Sequence, residues 1–290
     1  MSRVREVLAR GALRLRGEDA WLEADLLLGH ALGVSRAWLI AHADDDVHDD
    51  NRAAFDALIE RRARGEPVAY LTGVRGFHGI ELQVTPDVLI PRAETELLVE
   101  LALQRIPRDQ DCAIADLGTG SGAVALAIAK ERPKARVLAT DANDAALIVA
   151  RRNATKLGLR NVEFAQGDWC AAFGDAREFD VIVANPPYIA VDDSHLSQGD
   201  LRFEPREALV SGSDGLDAIR IIVRGARPHL RDGGWLLFEH GYDQGDAARA
   251  LLEQSVYTQV FTARDLENRE RVSGGEPLSL WERGRDEGPE

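Results

Sequence analysis

The sequence predicts an α/β fold, a doubly wound, mostly parallel seven-stranded sheet preceded by a small all-α N-terminal domain and a connecting β-hairpin. Two observations lead to this prediction. From Ala113 onward, short β-branched runs alternate with segments of helical length, which is typical of a parallel sheet with helices on both faces. Before about residue 66, apolar residues recur only at helical spacing. The length of 290 residues suits about two domains.

The N-terminal region is predicted to contain helices only. Apolar positions over residues 21–32 suit one helix, and a short helix follows Ser35. A third helix is predicted to begin near Asp49 and Asp50, whose side-chain oxygens can cap free N–H groups, and to end at Gly65.

The pattern changes after this region. Val68–Val88 is rich in β-branched and aromatic residues interrupted by glycines, and it is predicted to form a hairpin or linking segment. A helix is predicted over Glu94–Leu103. The strands that follow are predicted at Ala113–Leu117, Arg136–Thr140, Val162–Ala165, Asp180–Ala184, Trp235–Glu239, Tyr257–Thr262 and Pro277–Trp281. The helices between them are predicted at Gly122–Lys130, Asp144–Leu157, Leu216–Leu230 and Gly245–Glu253.

Composition and charge exclude several classes of protein. There are 35 basic and 49 acidic residues, and a net charge of −14 disfavours stable binding to nucleic acid. Cys112 and Cys170 cannot form a disulfide framework, and no Cys/His spacing indicates a metal site. No apolar stretch is predicted to span a membrane, and no signal peptide is evident, so we expect a cytoplasmic protein.

The first strand-to-helix turn carries a glycine pattern. Gly118, Gly120 and Gly122 alternate with Thr119 and Ser121, which gives G-x-G-x-G in place of the G-x-G-x-x-G of dinucleotide enzymes. Together with the acid two residues before the first glycine, the pattern resembles the S-adenosylmethionine-binding turn of class I methyltransferases. The alternative is a glycine-rich turn without a ligand.

Further polar residues follow the next two strands. Asp141 ends the second strand, where a carboxylate can accept hydrogen bonds from both ribose hydroxyls; its alternative role is a helix N-cap. After the third strand, Asp168 could accept from an adenine amino group, and Trp169 could offer its ring to the base or belong to the core. With Asp116, these acids suit a cationic sulfonium better than a pyrophosphate.

The fourth strand ends in Asn185-Pro186-Pro187-Tyr188, which we interpret as a catalytic and substrate-binding turn. A planar NH2 group is a poor nucleophile because its lone pair is delocalised. The Asn185 carboxamide oxygen and the Pro186 carbonyl can each accept one of its N–H bonds and so expose the lone pair. The two prolines fix the backbone, and Tyr188 can pack its ring against the planar group. The alternative is a purely structural turn.

These motifs resemble the bacterial protein-(glutamine-N5) methyltransferases that modify peptide chain release factors. The likeness extends over about residues 20 to 272. The segments that carry it, besides the two turns, are Glu66–Gly73, Val84–Glu96, Arg202–Pro205, Asp214–Leu216, Gly233–Trp235 and Gly241–Gly245. Within Val84–Glu96, Arg92, Glu94 and Thr95 can either help to shape the crevice or form a helix cap and a surface pair.

The resemblance implies a Rossmann-like domain, S-adenosylmethionine as the cofactor, and class I release factors as partners, with the glutamine of their Gly-Gly-Gln motif as the methyl acceptor. It places the cofactor on Gly118–Gly122, Asp141, Trp169 and Asn185, and the glutamine on Asn185–Tyr188. It also implies a helical docking domain over residues 1–73, a hairpin linker over 74–90, a methyltransferase domain over 91–282 and a flexible tail over 283–290.

Two other functions stay open at this point. An adenine-N6 or cytosine-N4 nucleic-acid methyltransferase could use the same Asn-Pro-Pro-Tyr turn, although the acidic N-terminal helices and the short segment after Tyr188 leave little room for a duplex-recognition domain. A non-enzymatic binding module could retain the fold, but it would have no need for the full set of glycines, acids and catalytic turn.

Overall fold

The computed structural model describes residues 2–174 and 178–278. By their internal contacts the residues form two units. One unit runs to Val74 and includes His195–Phe203, and the other comprises Arg75–Ser194 and the chain from Glu204 onward. The inclusion of His195–Phe203 in the first unit has no counterpart in the sequence-based division.

The first unit is built on five helices. They are α1 (Val4–Ala12), α2 (Ala20–Leu32), α3 (Arg36–Ala41), α4 (Asp49–Ala63) and α5 (Val68–Thr72). Fully buried Leu27 and Leu28 of α2 pack in one core with Phe55 and Ile59 of α4. The Ser35 hydroxyl accepts from the Trp38 N–H at 3.2 Å, so α3 begins where the sequence predicts.

Two details of this unit correct the sequence prediction. It is not purely helical, because β1 (Ser2–Arg3) pairs antiparallel with β2 (Asp46–Val47). Two-residue strands are too short to leave a periodic signal. Asp49 also does not cap α4, since it lies inside the first turn of the helix. There its negative charge is stabilised by the positive end of the helix dipole.

His195–Phe203 is held within the first unit by arginine contacts. The Arg62 guanidinium forms a bidentate ion pair with Glu23 on α2, and its Nη1 donates to Asp200 Oδ1 at 2.9 Å. Arg202 Nη2 donates to the Arg64 carbonyl at 2.5 Å. Arg62 and Arg202 therefore both bind partners within the first unit.

The predicted hairpin is present but shorter than Val68–Val88. Residues 68–72 form α5, while β3 (Val74–Phe77) and β4 (Ile80–Gln83) pair as a two-stranded sheet. Pro67 and Gly73 bound the helix, and they override the strand preference of its β-branched residues. Alternate residues of β4 are buried, as expected for a strand with one apolar face.

The second unit contains a seven-stranded sheet, which confirms the predicted fold class. Its strands are β5 (Ala113–Leu117), β6 (Arg136–Asp141), β7 (Val162–Gln166), β8 (Phe179–Ala184), β9 (Leu230–Glu239), β10 (Tyr257–Arg264) and β11 (Glu270–Pro277). The order across the sheet is β10-β11-β9-β8-β5-β6-β7, and only β11 runs opposite to the others.

Helices cover both faces of this sheet. They are α6 (Glu96–Arg105), α7 (Ala123–Glu131), α8 (Asp144–Leu157), α9 (Asp217–Ala226) and α10 (Gly245–Gln254). Ile114 of β5 packs in one core with residues of α6, α7 and α8, while Leu117 packs in another with residues of α9 and α10. Burial on both faces explains the continuous apolar runs of the central strands.

Two predicted elements have different bounds. The helix predicted over Leu216–Leu230 ends at Ala226 and passes into a 3-10 turn, because Pro228 has no N–H to continue it. The last strand begins at Glu270, not Pro277. Gly274 lets it approach β9, since a Cβ there would lie 2.5 Å from the Leu236 carbonyl oxygen. The rest of the predicted Pro277–Trp281 strand beyond Leu278, and the predicted tail over 283–290, lie outside the described residues.

The strand order reverses at β5. The chain moves from β5 outward through β6 to β7 and then returns to β8 on the other side of β5. Ligands of open α/β sheets bind in the crevice beyond the carboxyl ends of the strands at such a switch point. The segments after β5, β6, β7 and β8 are the ones that carry the predicted site residues.

Candidate active site

A cleft opens at the carboxyl ends of β5, β6, β7 and β8 in the second unit. It brings together most of the predicted site residues. Those that line it are Gly118, Thr119, Gly120, Ser121, Asp141, Asp168, Trp169, Asn185 and Pro187. Gly122, Pro186 and Tyr188 are not among the lining residues. The cleft is also lined by residues that the sequence analysis did not propose as site residues, including Val88, Leu89, Ala142 and Asn143.

The glycine turn follows β5 in a conformation that only glycine adopts easily. Gly118, Gly120 and Gly122 all have positive φ, at 71°, 55° and 86°. A Cβ on Gly120 would meet nothing within 4 Å, so the backbone there borders open space. A Cβ on Gly122 would lie 2.9 Å from Leu126 Cδ1, which assigns this glycine to the close packing of α7.

The buried carboxylate of Asp116 fixes the turn from below. Its Oδ2 accepts from the Thr119 hydroxyl at 2.7 Å and from the Ala125 N–H at 3.1 Å. From the other side, Asn153 of α8 donates to the Ser121 carbonyl at 2.9 Å. Burial raises the pKa of Asp116 to about 6. This residue therefore supports the shape of the turn.

The raised pKa of Asp116 predicts a pH-dependent stability. Because the native state binds the proton of Asp116 more tightly than the unfolded state, this residue stabilises the fold fully below its ordinary pKa of 3.8. The stabilisation is lost as the pH rises through about 6. Asp116→Asn keeps an oxygen for Thr119 and Ala125 but does not titrate. We expect the free energy of unfolding of the native protein, relative to this variant, to fall by about 3 kcal/mol over that range. Urea unfolding of the native protein and of Asp116→Asn at several pH values over this range measures the difference. The same pH dependence of the free energy of unfolding in both proteins would contradict the prediction.

Asp141 has the geometry of a ribose ligand. Its Oδ2 accepts from the Gly120 N–H at 2.9 Å, and its Oδ1 accepts from the Asn143 N–H at 2.9 Å. Each oxygen keeps a lone pair for one further donor. The N-cap of α8 is Asn143, whose side chain accepts from the Ala145 N–H at 2.9 Å. The capping role is thus filled by another residue.

Asp168 and Trp169 follow β7. Asp168 is exposed at the cleft, whereas Trp169 is half-buried and packs against the sheet core. Trp169 has a φ of 45°, which is rare for a bulky residue. Its ring lies against Gly118, where a Cβ would approach it to 3.3 Å. The strained backbone places an indole ring directly beside the glycine turn.

The Asn185 carboxamide is oriented by a buried hydroxyl. Its Nδ2 donates to Thr95 Oγ1 at 3.0 Å, and Thr95 is 3% exposed. This contact uses the donor end of the amide and leaves Oδ1 as an acceptor on the cleft wall. Arg92, Glu94 and Thr95 were predicted either to shape the crevice or to form a helix cap and a surface pair. Of the three, Thr95 lines the cleft, and its side chain makes no cap hydrogen bond to α6.

Tyr188 reaches a second buried group behind the turn. Its hydroxyl donates to Glu239 Oε1 at 3.0 Å, and its ring packs against the core of the sheet. Contact of this ring with a substrate amide stays a prediction. Glu239 is 1% exposed, and burial raises its pKa to about 7. Sequence reasoning missed Glu239, although its place at the end of β9, beside β8, is a usable signal.

The donor set of the cleft fits a nucleoside with a cationic centre. Open backbone at Gly120, paired lone pairs on Asp141 and an indole face at Trp169 match the methyl donor that the turn predicts. Within residues 2–174 and 178–278, no three His, Cys, Asp or Glu side chains converge as metal ligands. Nor does this part of the chain contain a helix with the length and apolar character to cross a membrane.

Two family models match different parts of the chain. Residues 6–73 match the family model of the PrmC N-terminal domain, and residues 93–201 match that of the methyltransferase small domain. The T. thermophilus 16S rRNA N2 G1207 methyltransferase structure, solved with AdoMet and guanosine, has a TM-score of 0.53 and 22% identity. The match covers 71% of this chain and 50% of that one, and it shows a shared fold.

Relatives of known name cover nearly the whole chain. The release factor glutamine methyltransferase of Xylella fastidiosa strain 9a5c is 57% identical over 88% of this chain and 92% of its own length. That of Burkholderia pseudomallei strain K96243 is 53% identical over 91% of this chain and 94% of its own length. Similarity of this extent shows that this chain belongs to the release factor glutamine methyltransferases.

Proposed function

We propose that this protein transfers a methyl group from S-adenosylmethionine to the side-chain amide nitrogen, N5, of the glutamine in the Gly-Gly-Gln motif of bacterial class I peptide chain release factors. The observation that carries the proposal is the Asn185 carboxamide, whose Nδ2 donates to Thr95 and which lines the same cleft as the glycine turn. Membership of the family supports a release factor as the substrate. In this role the enzyme supports translation termination, and its compartment is the cytoplasm.

Catalysis in this proposal depends on alignment. S-adenosylmethionine, when bound, would supply an electrophilic methyl carbon and, as the leaving group, a neutral thioether. Asn185 Oδ1 and the Pro186 carbonyl each accept one N–H of the glutamine amide and so expose the nitrogen lone pair. Pro187 and Tyr188 complete the substrate-binding turn. The nitrogen gains a bond to carbon and then loses one proton to solvent, so no strong base is required.

The cofactor is proposed to lie across the glycine turn. Asp141 would accept from both ribose hydroxyls, and Asp168 would accept from the adenine amino group. The Trp169 ring would offer its face to the adenine. The residues proposed to hold the cofactor are Gly118, Thr119, Gly120, Ser121, Asp141, Asp168, Trp169 and Asn185, while the predicted Gly122 contributes through the packing of the turn against α7.

The two parts of the chain take different roles in this proposal. Residues 1–73 dock the release factor, residues 74–90 link the domains, and residues 91–282 hold the cofactor and carry out the transfer. The net charge of −14 supports a protein substrate over a phosphate backbone.

A direct assay tests this function. The purified protein is incubated with methyl-labelled cofactor and a class I release factor, and peptides are analysed by mass spectrometry. We expect one methyl group on the glutamine of the Gly-Gly-Gln motif and none on a release factor in which that glutamine is alanine. Unstructured RNA and DNA serve as competing substrates. Label on nucleic acid, with none on the release factor, would overturn the proposal.

A further inference from the structure

Two of the segments that carry the sequence resemblance meet at the end of the catalytic turn. They are Asp214–Leu216, before α9, and Gly241–Gly245, which leads from β9 into α10. Both lie against the main chain of Tyr188, the last residue of the turn. The second segment contributes the side chain of Gln244, which the proposed reaction does not use.

The Gln244 carboxamide is matched on both ends by main-chain groups. Its Oε1 accepts from the Gly241 N–H at 2.8 Å, and its Nε2 donates to the carbonyls of Tyr188 and Asp214 at 3.0 and 3.3 Å. A main-chain N–H can only donate and a carbonyl can only accept, so these partners allow the amide a single orientation. Because the NH2 group has two N–H bonds, it can serve both carbonyls at once. Gln244 therefore ties both segments to the end of the turn.

Gly215 makes this close approach possible. Its φ is 77°, a conformation that glycine adopts without strain. A Cβ at this position would overlap the Tyr188 carbonyl oxygen and would lie 2.6 Å from Gln244 Nε2. The carbonyl of Tyr188 is thus enclosed by the main chain at Gly215 and by the amide of Gln244.

The catalytic turn depends on such external support because two of its four residues are prolines. Pro186 and Pro187 have no N–H, so neither can donate a main-chain hydrogen bond. In the proposed reaction the Pro186 carbonyl also has to stay open to the substrate. The start of the turn is fixed by β8, whose Ala184 pairs with Phe238 of β9. The Tyr188 carbonyl offers a point at which the end of the turn can be held.

We propose that Gln244 is a positioning residue, which holds the Tyr188 carbonyl and thereby directs the Pro186 carbonyl at the glutamine amide of the substrate. The φ angles of the two prolines are fixed by their rings, so a turn held at both ends leaves the Pro186 carbonyl little freedom. The inference rests on the proposed function and adds to it a residue that does not line the cleft. All the contacts that carry it lie within the second unit.

Removing the Gln244 amide tests the inference. Gln244→Met keeps the length of the side chain but supplies none of the three hydrogen bonds. We expect the turnover number with a class I release factor to fall roughly 10²-fold, because a misplaced acceptor beside the reacting nitrogen costs about this much, while the affinity for S-adenosylmethionine stays within about twofold. Gln254→Met is the matched control, because it makes the same change at an exposed position at the end of α10, and it should not alter turnover.

A pair of glycine variants tests the same contact without altering Gln244. Gly215→Ala and Gly233→Ala impose a similar backbone cost, since φ is 77° and 75° at the two positions. A Cβ on Gly233 would meet nothing within 4 Å, so only the variant at Gly215 disturbs the Tyr188 carbonyl. We expect Gly215→Ala to lower the turnover number by roughly tenfold or more, and Gly233→Ala to leave it within about twofold of the native value.

Calorimetric titration of each variant with S-adenosylmethionine shows whether the cofactor site is intact. Native-like turnover of a folded Gln244→Met, or equal effects of the two glycine variants, would overturn the inference. A loss of turnover that only follows a loss of cofactor affinity would overturn it as well. If Gln244→Met does not fold, the glycine pair decides. If the native protein methylates no release factor, the proposed function itself has failed.

Discussion

Replacing Asn185 by alanine should reduce methyl transfer to a release factor by roughly 10²- to 10³-fold, while the cofactor still binds. The reason is that the carboxamide is the one polar side chain of the catalytic turn that lines the cleft, and its acceptor end is fixed by Thr95. Loss of a preorganised polar partner of the reacting group typically costs this much in turnover. Transfer of labelled methyl in single-turnover experiments measures the effect.

Calorimetric titration of the same Asn185→Ala sample with the cofactor provides the control. Cofactor affinity that largely survives shows that the fold and the cofactor site are intact, because the proposed ribose and adenine ligands follow β6 and β7 and Asn185 is only one of the residues proposed to hold the cofactor. Transfer at close to the native rate would show that the nitrogen is activated elsewhere, and the role given to the carboxamide would be wrong.

Replacing Asp141 by alanine should weaken cofactor binding by roughly 10²-fold. Two hydrogen bonds to a charged acceptor are lost, each with a net contribution of about 1.5–3 kcal/mol, and the lower end of this range corresponds to a loss of about 10²-fold. The Gly120 N–H also loses its partner at 2.9 Å, so the glycine turn loses a constraint. Titration calorimetry with S-adenosylmethionine and with the demethylated product measures the change.

Asp144→Ala is the matched control for this experiment. Asp144 is an exposed acid in the first turn of α8, three residues after Asp141, and its removal changes the net charge by the same amount. We expect less than about a twofold change in affinity, because the charge is screened by solvent. An equal loss in both variants would mean that general electrostatics, not a ribose contact, governs binding.

Much of the fold could be predicted because the pattern of the sequence and its packing agree. The central strands β5, β6 and β8 are buried on both faces and read as apolar runs, and α8 was predicted with its observed bounds. Prediction failed where neighbours decide the structure. The strand β11 has a Ser-Gly-Gly centre with little strand preference of its own, and it forms because it is paired on both sides.

The candidate site divides in the same way. Residues directly after a strand, such as Asp141 and Asn185, could be predicted because parallel strands end at one edge of the sheet. Thr95 could be named as a candidate, but its contact with Asn185 and that of Glu239 with Tyr188 could not be predicted, since they span 90 and 51 positions of sequence. Only the register of β8 against β9 and the placement of α6 bring them there. The support of the catalytic turn is thus a property of the tertiary structure.

The inclusion of His195–Phe203 in the first unit has a practical consequence for dissecting this enzyme. The chain passes from one unit to the other after Val74, again after Ser194 and once more after Phe203. A fragment cut at Val74 omits Asp200 and Arg202, and Arg62 then loses one of its two acidic partners. Neither unit is therefore an independent module that a single cleavage would release intact. Fragment complementation would need the His195–Phe203 segment to be supplied together with the helices of the first unit.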